Sequence, residues 1–525
     1  MDAVLLSMYS HPVADLGRRE FLRTAGSGVL LAGLAPLGYE LVRATDTRAA
    51  VDPRVRALAR SMRGPVYAQG SSGYASASQV YNALYAGYRP LAVAQPVSVA
   101  DVQACVRWAL RYRVHIVPRS GGHSYAGYST GNGVLQVDLR RLGGVSVDGG
   151  TGTAVVGPGA LLMQVYAGLA NSGVAIPAGS CPTVGVGGLA LGGGHGLASR
   201  AWGVTSDNIV AVGIVLADGS YVTARSSTSY DDLLWACQGG GGGSFGIVTS
   251  FRFRVHPVRS STRFFLSWPW SQAEEVLAAW QSWAPSAPDA VDSILNLSTN
   301  PGQPFVHCVG QYLGSPGPLS GLLAPIRRVG SPSVSVVQDS WLNVQKWMAG
   351  CSGQTVNQCL AFQPTLFAGK SHYFRQSIPA SGRAAVVQAI NQAQGLPGGG
   401  ALILDAYGGA INRVAPGATA FVHRQERFSG QFYASWGSSR NQGTMISWLR
   451  GFHAAMSRYA SGYAYQNYID FEQSNWQHAY YGSNFDHLVD VKTTYDPNNV
   501  FRFAQSIPVR QQHHRKPPQP PRFTG

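Results

Sequence analysis

Arg119-Ser120-Gly121-Gly122-His123-Ser124-Tyr125 is the stretch on which the reading of the fold turns. It leaves a short apolar run, His115-Ile116-Val117-Pro118, that reads as a strand. It also sets an imidazole directly after two glycines. Glycine lets a backbone approach a ligand closely, and successive free N–H groups make a nest for anions. Two further loops of the same texture follow. One is Ala178-Gly179-Ser180-Cys181-Pro182-Thr183-Val184-Gly185-Val186-Gly187-Gly188, continued by Gly192-Gly193-Gly194-His195-Gly196. The other is the glycine run 239–243 before Ser244-Phe245-Gly246-Ile247-Val248. One such loop could be flexible surface; three in one region imply a large ligand carrying a pyrophosphate and a ring system.

The surrounding elements alternate. Short strands are expected at 90–96, 134–139, 153–156 and 249–255, and helices at 99–113 and 160–172. Strands at 209–216 and 220–224 form a hairpin across Asp218-Gly219. Within this region Gly185-Val186-Gly187-Gly188-Leu189-Ala190 matches the G-x-G-x-x-A dinucleotide fingerprint, with Asp207 20 residues after Gly187. That fingerprint needs a strand before it and a helix after it. Here it follows a proline-flanked loop and more glycines interrupt the helix, so a Rossmann site is rejected.

The chain has 525 residues, 45% hydrophobic and 12% charged, enough for several cores and too apolar for disorder over most of its length. No apolar run past the N-terminus is long enough to span a bilayer, so stable membrane insertion is not expected. The net charge of +15 is nearly all arginine, since the lysines are only Lys346, Lys370, Lys492 and Lys516, and it is scattered. Nucleic acid is therefore not expected as a partner. Residues 262–455 hold eight of the 12 tryptophans and amphipathic helices such as 273–283. The expected fold is α+β, in five segments: 1–50 an export signal, 51–260 a ligand-binding domain of two α/β subdomains, 261–455 a substrate domain with an antiparallel sheet covered by helices, 456–508 a segment returning to the first domain, and 509–525 a disordered basic, proline-rich tail.

Arg18-Arg19-Glu20-Phe21-Leu22, followed by a modest apolar stretch at 28–37, resembles a bacterial twin-arginine signal, which implies a secreted, periplasmic or cell-wall location. Such export carries folded proteins, often with their cofactor. Six cysteines without a C-x-x-C spacing do not support a zinc site, and no metal is expected. Cys351 and Cys359 could pair after export or remain two buried thiols.

The loop around His123, the loop around Cys181 and Tyr495-Asp496-Pro497-Asn498-Asn499-Val500-Phe501 together resemble the berberine bridge enzyme-like flavin oxidases, within the vanillyl-alcohol oxidase (PCMH-type) FAD superfamily. The resemblance runs from about Arg89 to Phe503. It implies FAD attached twice, through His123 to the 8α-methyl and Cys181 to C6 of the ring. Imidazole nitrogen and thiolate are nucleophiles suited to an electron-poor flavin. It also implies cofactor contacts from Arg119, Ser120, Gly121, Gly122, Ser124, Val184, Gly185, Gly188, Gly243, Ile247, Val248 and Asn467.

Oxidising a carbinol requires a base within reach of its hydroxyl. By the same resemblance Tyr468, in Tyr465-Gln466-Asn467-Tyr468-Ile469-Asp470, takes that role, given a lowered pKa or a charged partner. Tyr125 is a second candidate to orient substrate, and Tyr373, in Lys370-Ser371-His372-Tyr373, a third. The family's alkaloid cyclases carry a glutamate in the segment that here reads Gly408-Gly409-Ala410-Ile411-Asn412-Arg413-Val414, which has no acid, so hydroxyl oxidation is favoured over ring closure. Val184 occupies a position that implies reoxidation by molecular oxygen with release of hydrogen peroxide. Oligosaccharides or glycosylated natural products are the expected substrates. A dehydrogenase passing electrons to a quinone or dye, and a secreted flavin-containing binding protein without activity, are the alternatives.

Overall fold

The computed structural model describes residues 52–300 and 303–510. The expected signal at 1–50 and the tail from 511 onward lie outside these residues.

The N-terminal half builds two large sheets and one two-stranded pair, Val174–Ala175 with His256–Pro257. Val66–Ala68, Ala92–Ala94, Leu135–Asp138 and Ile116–Arg119 lie in that order, the first pair antiparallel and the last three strands parallel. The helix Val99–Tyr112 serves this sheet. Ser98 caps it by accepting the Asp101 N–H, Arg113 ends it in the left-handed region, and Val102, Cys105, Val106 and Ala109 form its buried face. The second sheet is antiparallel throughout, in the order Val145–Asp148, Thr153–Val156, Ile247–Arg254, Ile209–Val215 and Tyr221–Arg225. Its last two strands form the hairpin read at Asp218-Gly219, where Gly219 has φ +84° and Ser220 N–H bonds Asp218 Oδ1 at 2.8 Å. The fingerprint glycines open only a short helix, Val186–Leu191, which follows a loop and stops at Gly192.

The second half forms a seven-stranded antiparallel sheet in the order Ser333–Ser340, Ser260–Trp268, Gln303–Tyr312, Val291–Asn300, Gly398–Ala406, Phe428–Trp436, Leu366–Phe374. Strand alternation divides its two faces. Leu297, Leu402 and Phe432 stand in register and face the helices Ala273–Trp283, Ala380–Ala393 and Gln442–Met456. One residue away, Asn296, Ile403 and Gln431 also stand in register and face the cavity described below. Most tryptophans of this half are core: Trp280 is fully buried and its indole N–H donates to Ser293 Oγ at 3.0 Å. Truncating such a side chain costs about 3–5 kcal/mol.

The C-terminal helices Trp476–Tyr481 and Phe485–Tyr495 put Ala479, Leu488 and Val491 into the core of the five-stranded sheet. Lys492 is wholly buried there. Its ammonium bonds Asp496 Oδ2 at 2.6 Å, the Ser244 carbonyl at 2.7 Å and the Phe501 carbonyl at 2.6 Å. Three acceptors around one ammonium satisfy the buried charge. They also tie the loop after the glycine run to the Tyr495–Phe501 motif.

Candidate active site

A cavity of about 620 Å³ opens between the glycine loops and the polar face of the seven-stranded sheet, a size usual for a ligand site. The loop carrying His123 leaves the parallel strand Ile116–Arg119 and interlocks with the loop carrying Cys181. The interlock needs glycine: a Cβ on Gly185 would lie 1.9 Å from Ser120 Oγ, and one on Gly121 would lie 2.3 Å from Gly185 N. Ser120 Oγ donates to the Pro158 carbonyl and His123 Nε2 meets Thr183 Oγ1 at 3.0 Å, completing the join. Tyr81 lies flat on His123, with ring centroids 3.8 Å apart and planes 15° apart.

Of the cofactor contacts expected from sequence, His123, Cys181, Ser120, Gly121, Gly122, Ser124, Val184, Gly185, Gly188, Gly243, Ile247, Val248 and Asn467 all line this cavity. Arg119 does not. Its guanidinium turns away, pairs with buried Asp138 at 2.7 Å and donates to the carbonyls of Ala77 and Gln79, so it braces the loop from behind. Tyr125 and Tyr468 line the cavity, stacked on each other at 5.3 Å. Tyr373 does not: it is fully buried, and its hydroxyl meets that of Tyr407 at 2.9 Å in an aromatic cluster that includes Tyr465 and packs against Tyr468.

The lining fits a large anionic cofactor. Among the described residues, no backbone carbonyl accepts the N–H groups of Gly121, Gly122, Gly242 or Gly243, which leaves donors for phosphate oxygens. A Cβ on Gly188 would meet nothing within 4 Å, so that glycine keeps space open rather than satisfying a neighbour. Burial holds the His123 imidazole neutral, its pKa lowered to about 3, and pushes the Cys181 thiol up to about 11. Cys181 is a free cysteine, and burial raises the phenol of Tyr81, the residue stacked on His123.

Burial pushes the Tyr468 phenol well above its usual range, and Asp405 pushes it further. The arginine that lines the cavity among the described residues is Arg502, and the leading influences on Tyr468, burial and then Asp405, Tyr125, Tyr465 and Cys181, all raise its phenol. The group with an acidity suited to neutral pH is instead Asp405. Burial, then the charge of Asp292, raises its carboxyl to about 7, and Ser429 Oγ donates to Asp405 Oδ2 at 3.3 Å. His195 Nδ1 stands 3.6 Å from Asp405 Oδ1. Burial lowers that imidazole to about 4, and its Nε2 has no partner among the described residues although the ring lines the cavity. The sequence alone assigns His195 no role, and Asp405 lies three residues before the acid-free stretch Gly408 to Val414. The available signal was a carboxylate in the apolar run Ala401-Leu402-Ile403-Leu404, where burial without purpose is costly. Gln431 was also missed; its amide donates to Tyr125 Oη across the cavity wall.

Cys351 and Cys359 form a disulfide. No helix among the described residues is long and apolar enough to cross a membrane.

Residues 90–225 match the family described as FAD binding domain, and residues 464–508 the family described as berberine and berberine like. The FAD-linked oxidoreductase YgaK of Bacillus subtilis (strain 168) is 34% identical over 413 residues, covering 78% of this chain and 89% of the relative. The xylooligosaccharide oxidase of Thermothelomyces thermophilus is 31% identical, covering 88% of this chain and 94% of the relative. Among solved structures, Physcomitrella patens BBE-like 1 superposes with a TM-score of 0.82 at 36% identity, covering 88% of this chain and all of the other. With the glycine-lined cavity in place, these likenesses make the chain a member of the berberine bridge enzyme-like family of FAD-linked oxidoreductases, with the PCMH-type FAD-binding fold.

Proposed function

We propose that this oxidoreductase oxidises a hydroxyl-bearing carbon of an oligosaccharide or glycosylated compound, with FAD held covalently by both His123 and Cys181 and molecular oxygen as the final acceptor. A bound flavin would supply the hydride acceptor for that carbon, and oxygen as its oxidant would leave as hydrogen peroxide. The observation that carries the attachment is the convergence of a neutral imidazole and a free thiol on one cavity beside Tyr81. Neutral His123 offers a nitrogen lone pair, and Cys181 acts once its proton is removed.

The chain's own residues deal with the hydroxyl proton. Asp405 is the base: its carboxylate form is available above about pH 7, and it sits on the sheet face that meets the cavity. Tyr468 and Tyr125 keep their protons and donate hydrogen bonds that orient the substrate, with Gln431 fixing Tyr125. This reassigns the base from Tyr468, whose phenolate is disfavoured by burial and by the nearby carboxylate. The polar side chains on this face, Asn296, Ser298, Gln431 and Ser435, are neutral hydrogen-bonding groups suited to sugar hydroxyls. The full-length likeness to an oligosaccharide oxidase supports the same substrate class. We also propose export through the twin-arginine signal at Arg18-Arg19; the Cys351–Cys359 disulfide supports an oxidising compartment.

The deciding experiment is acid precipitation followed by anaerobic mixing of the native protein with a saccharide panel. Flavin that stays with the pellet supports covalent attachment; free flavin in the supernatant removes it. Bleaching by saccharides, then peroxide on admitting air, supports the oxidase. Bleaching with dye reduction but no peroxide makes the protein a dehydrogenase.

A further inference from the structure

Charge that is scattered along the sequence is gathered by the fold. The helices Pro53–Ser61 and Val99–Tyr112 lie side by side and antiparallel. The Trp108 indole donates to the Arg54 carbonyl at 2.6 Å, the Cys105 and Met62 sulfurs meet at 3.5 Å, and Asp101 accepts the Arg63 N–H at 2.9 Å. Their buried faces hold Val55, Leu58, Val102 and Val106. Their outer faces and ends expose Arg56, Arg60, Arg63, Arg107, Arg111 and Arg113.

None of the six forms an ion pair with a described residue. Within 53–63 and 99–113 the one acid is Asp101, which is buried, and Asp52 before the first helix is spent on Arg54 at 2.7 Å. The hairpin alongside, held by Gln103 Nε2 on the Gly219 carbonyl at 2.8 Å, brings Asp218, whose carboxylate accepts the Ser220 N–H. Arg56 with Arg60, and Arg107 with Arg111, stand four apart on one helix, where like charges repel. Arg413 and Arg510, exposed on other surfaces, keep counter-ions, Asp289 at 2.6 Å and Asp490 at 2.5 Å. A face that holds repelling cations without counter-ions is complementary to an anionic partner.

Two further observations make that partner a bilayer surface. Leu110 is 39% exposed between Arg107 and Arg111, an apolar side chain among the cations. The chain also enters this face from the segment that carries the apolar stretch 28–37, since Asp52 caps the first helix. Fifteen residues separate 37 from 52, a reach of at most about 50 Å. An apolar stretch too short to span a bilayer holds weakly by itself, and a basic patch is the usual second signal. None of the six arginines lines the cavity, so docking uses none of its contacts.

We propose that this arginine face seats the protein on an acidic phospholipid bilayer, flat on the headgroups and without insertion of a helix. The guanidinium groups pair with lipid phosphates, and Leu110 sits at the headgroup boundary. The docking stands apart from the saccharide reading, and either can fail alone.

The test sediments the full-length, flavin-loaded protein with vesicles of phosphatidylcholine, alone or in equal mixture with phosphatidylglycerol. The acidic vesicles are expected to bind at least about tenfold more tightly, and the gain to vanish by about 0.5 M salt. Replacing four arginines together, Arg56→Gln, Arg60→Gln, Arg107→Gln and Arg111→Gln, is expected to remove most of that gain. A control that takes the same charge from exposed arginines of the second half, Arg327→Gln, Arg328→Gln, Arg440→Gln and Arg458→Gln, is expected to keep it. Flavin content and melting temperature show whether each variant folds. Equal binding to the two kinds of vesicle, or equal loss in both variants, overturns the proposal. So does soluble polyphosphate that binds as tightly as the acidic vesicles and is lost with the same four substitutions, because the face then recognises free polyanions.

Discussion

His195 and Asp405 meet at 3.6 Å as an uncharged imidazole beside a carboxyl that ionises near neutrality. The imidazole is charged only below about pH 4 and the carboxyl only above about 7, so the contact is not an ion pair at any pH. Because burial raises this pKa, the base form exists only on the alkaline side, and kcat/KM is expected to rise with pH and level off above about 7. A profile flat from pH 5 to 9 would remove Asp405 from the proton transfer.

Substitution separates the two candidate bases. Asp405→Asn is expected to slow anaerobic flavin reduction by about 10²–10⁴-fold, the usual loss on removing a positioned base. Tyr468→Phe removes one hydrogen bond and is expected to cost roughly tenfold. The reverse order restores Tyr468 as the base.

Gly188 and Gly185 lie three residues apart and should fail differently. A methyl at Gly188 meets no protein atom, so Gly188→Ala is expected to match the flavin-free wild type in melting temperature while taking up less flavin. A methyl at Gly185 collides with Ser120 Oγ and with the Gly121 backbone, and Gly185→Ala is expected to lose roughly 1–3 kcal/mol of stability. Flavin absorbance per protein and thermal melting read the two effects separately.

Lys492 and Asp496 are both wholly buried. Replacing either alone, as Lys492→Met or Asp496→Asn, leaves the other group without its partner and is expected to cost about 3–5 kcal/mol. The double variant should lose less than the sum of the two, as chemical denaturation would show.

Local order was legible where local chemistry decides it. The helix Val99–Tyr112, the strand Thr153–Val156 and the hairpin at Asp218-Gly219 follow from a serine cap, apolar periodicity and a glycine that accepts positive φ. The glycine loops and their histidine and cysteine were visible because such residues have few other uses in one neighbourhood. What the sequence concealed is set by distant packing. Arg119 sits inside the loop motif, yet buried Asp138 draws its guanidinium away from the cavity. Strand alternation puts Tyr373 on the same sheet face as cavity-lining Phe367, but at the other end of the strand, where Tyr407, just past the strand Gly398–Ala406, meets its hydroxyl. The acidity of Asp405 comes from burial beside Asp292, a residue more than a hundred positions earlier in the chain.

The three-way clasp of Lys492 has a consequence for the order of biosynthesis. Its ammonium secures the Ser244 carbonyl from a point 248 positions further along the chain. A nascent polypeptide therefore cannot finish shaping its cofactor cradle until Lys492 has been translated. A chain truncated before the final helix would emerge from the ribosome with every catalytic side chain already made but nowhere firm to seat them.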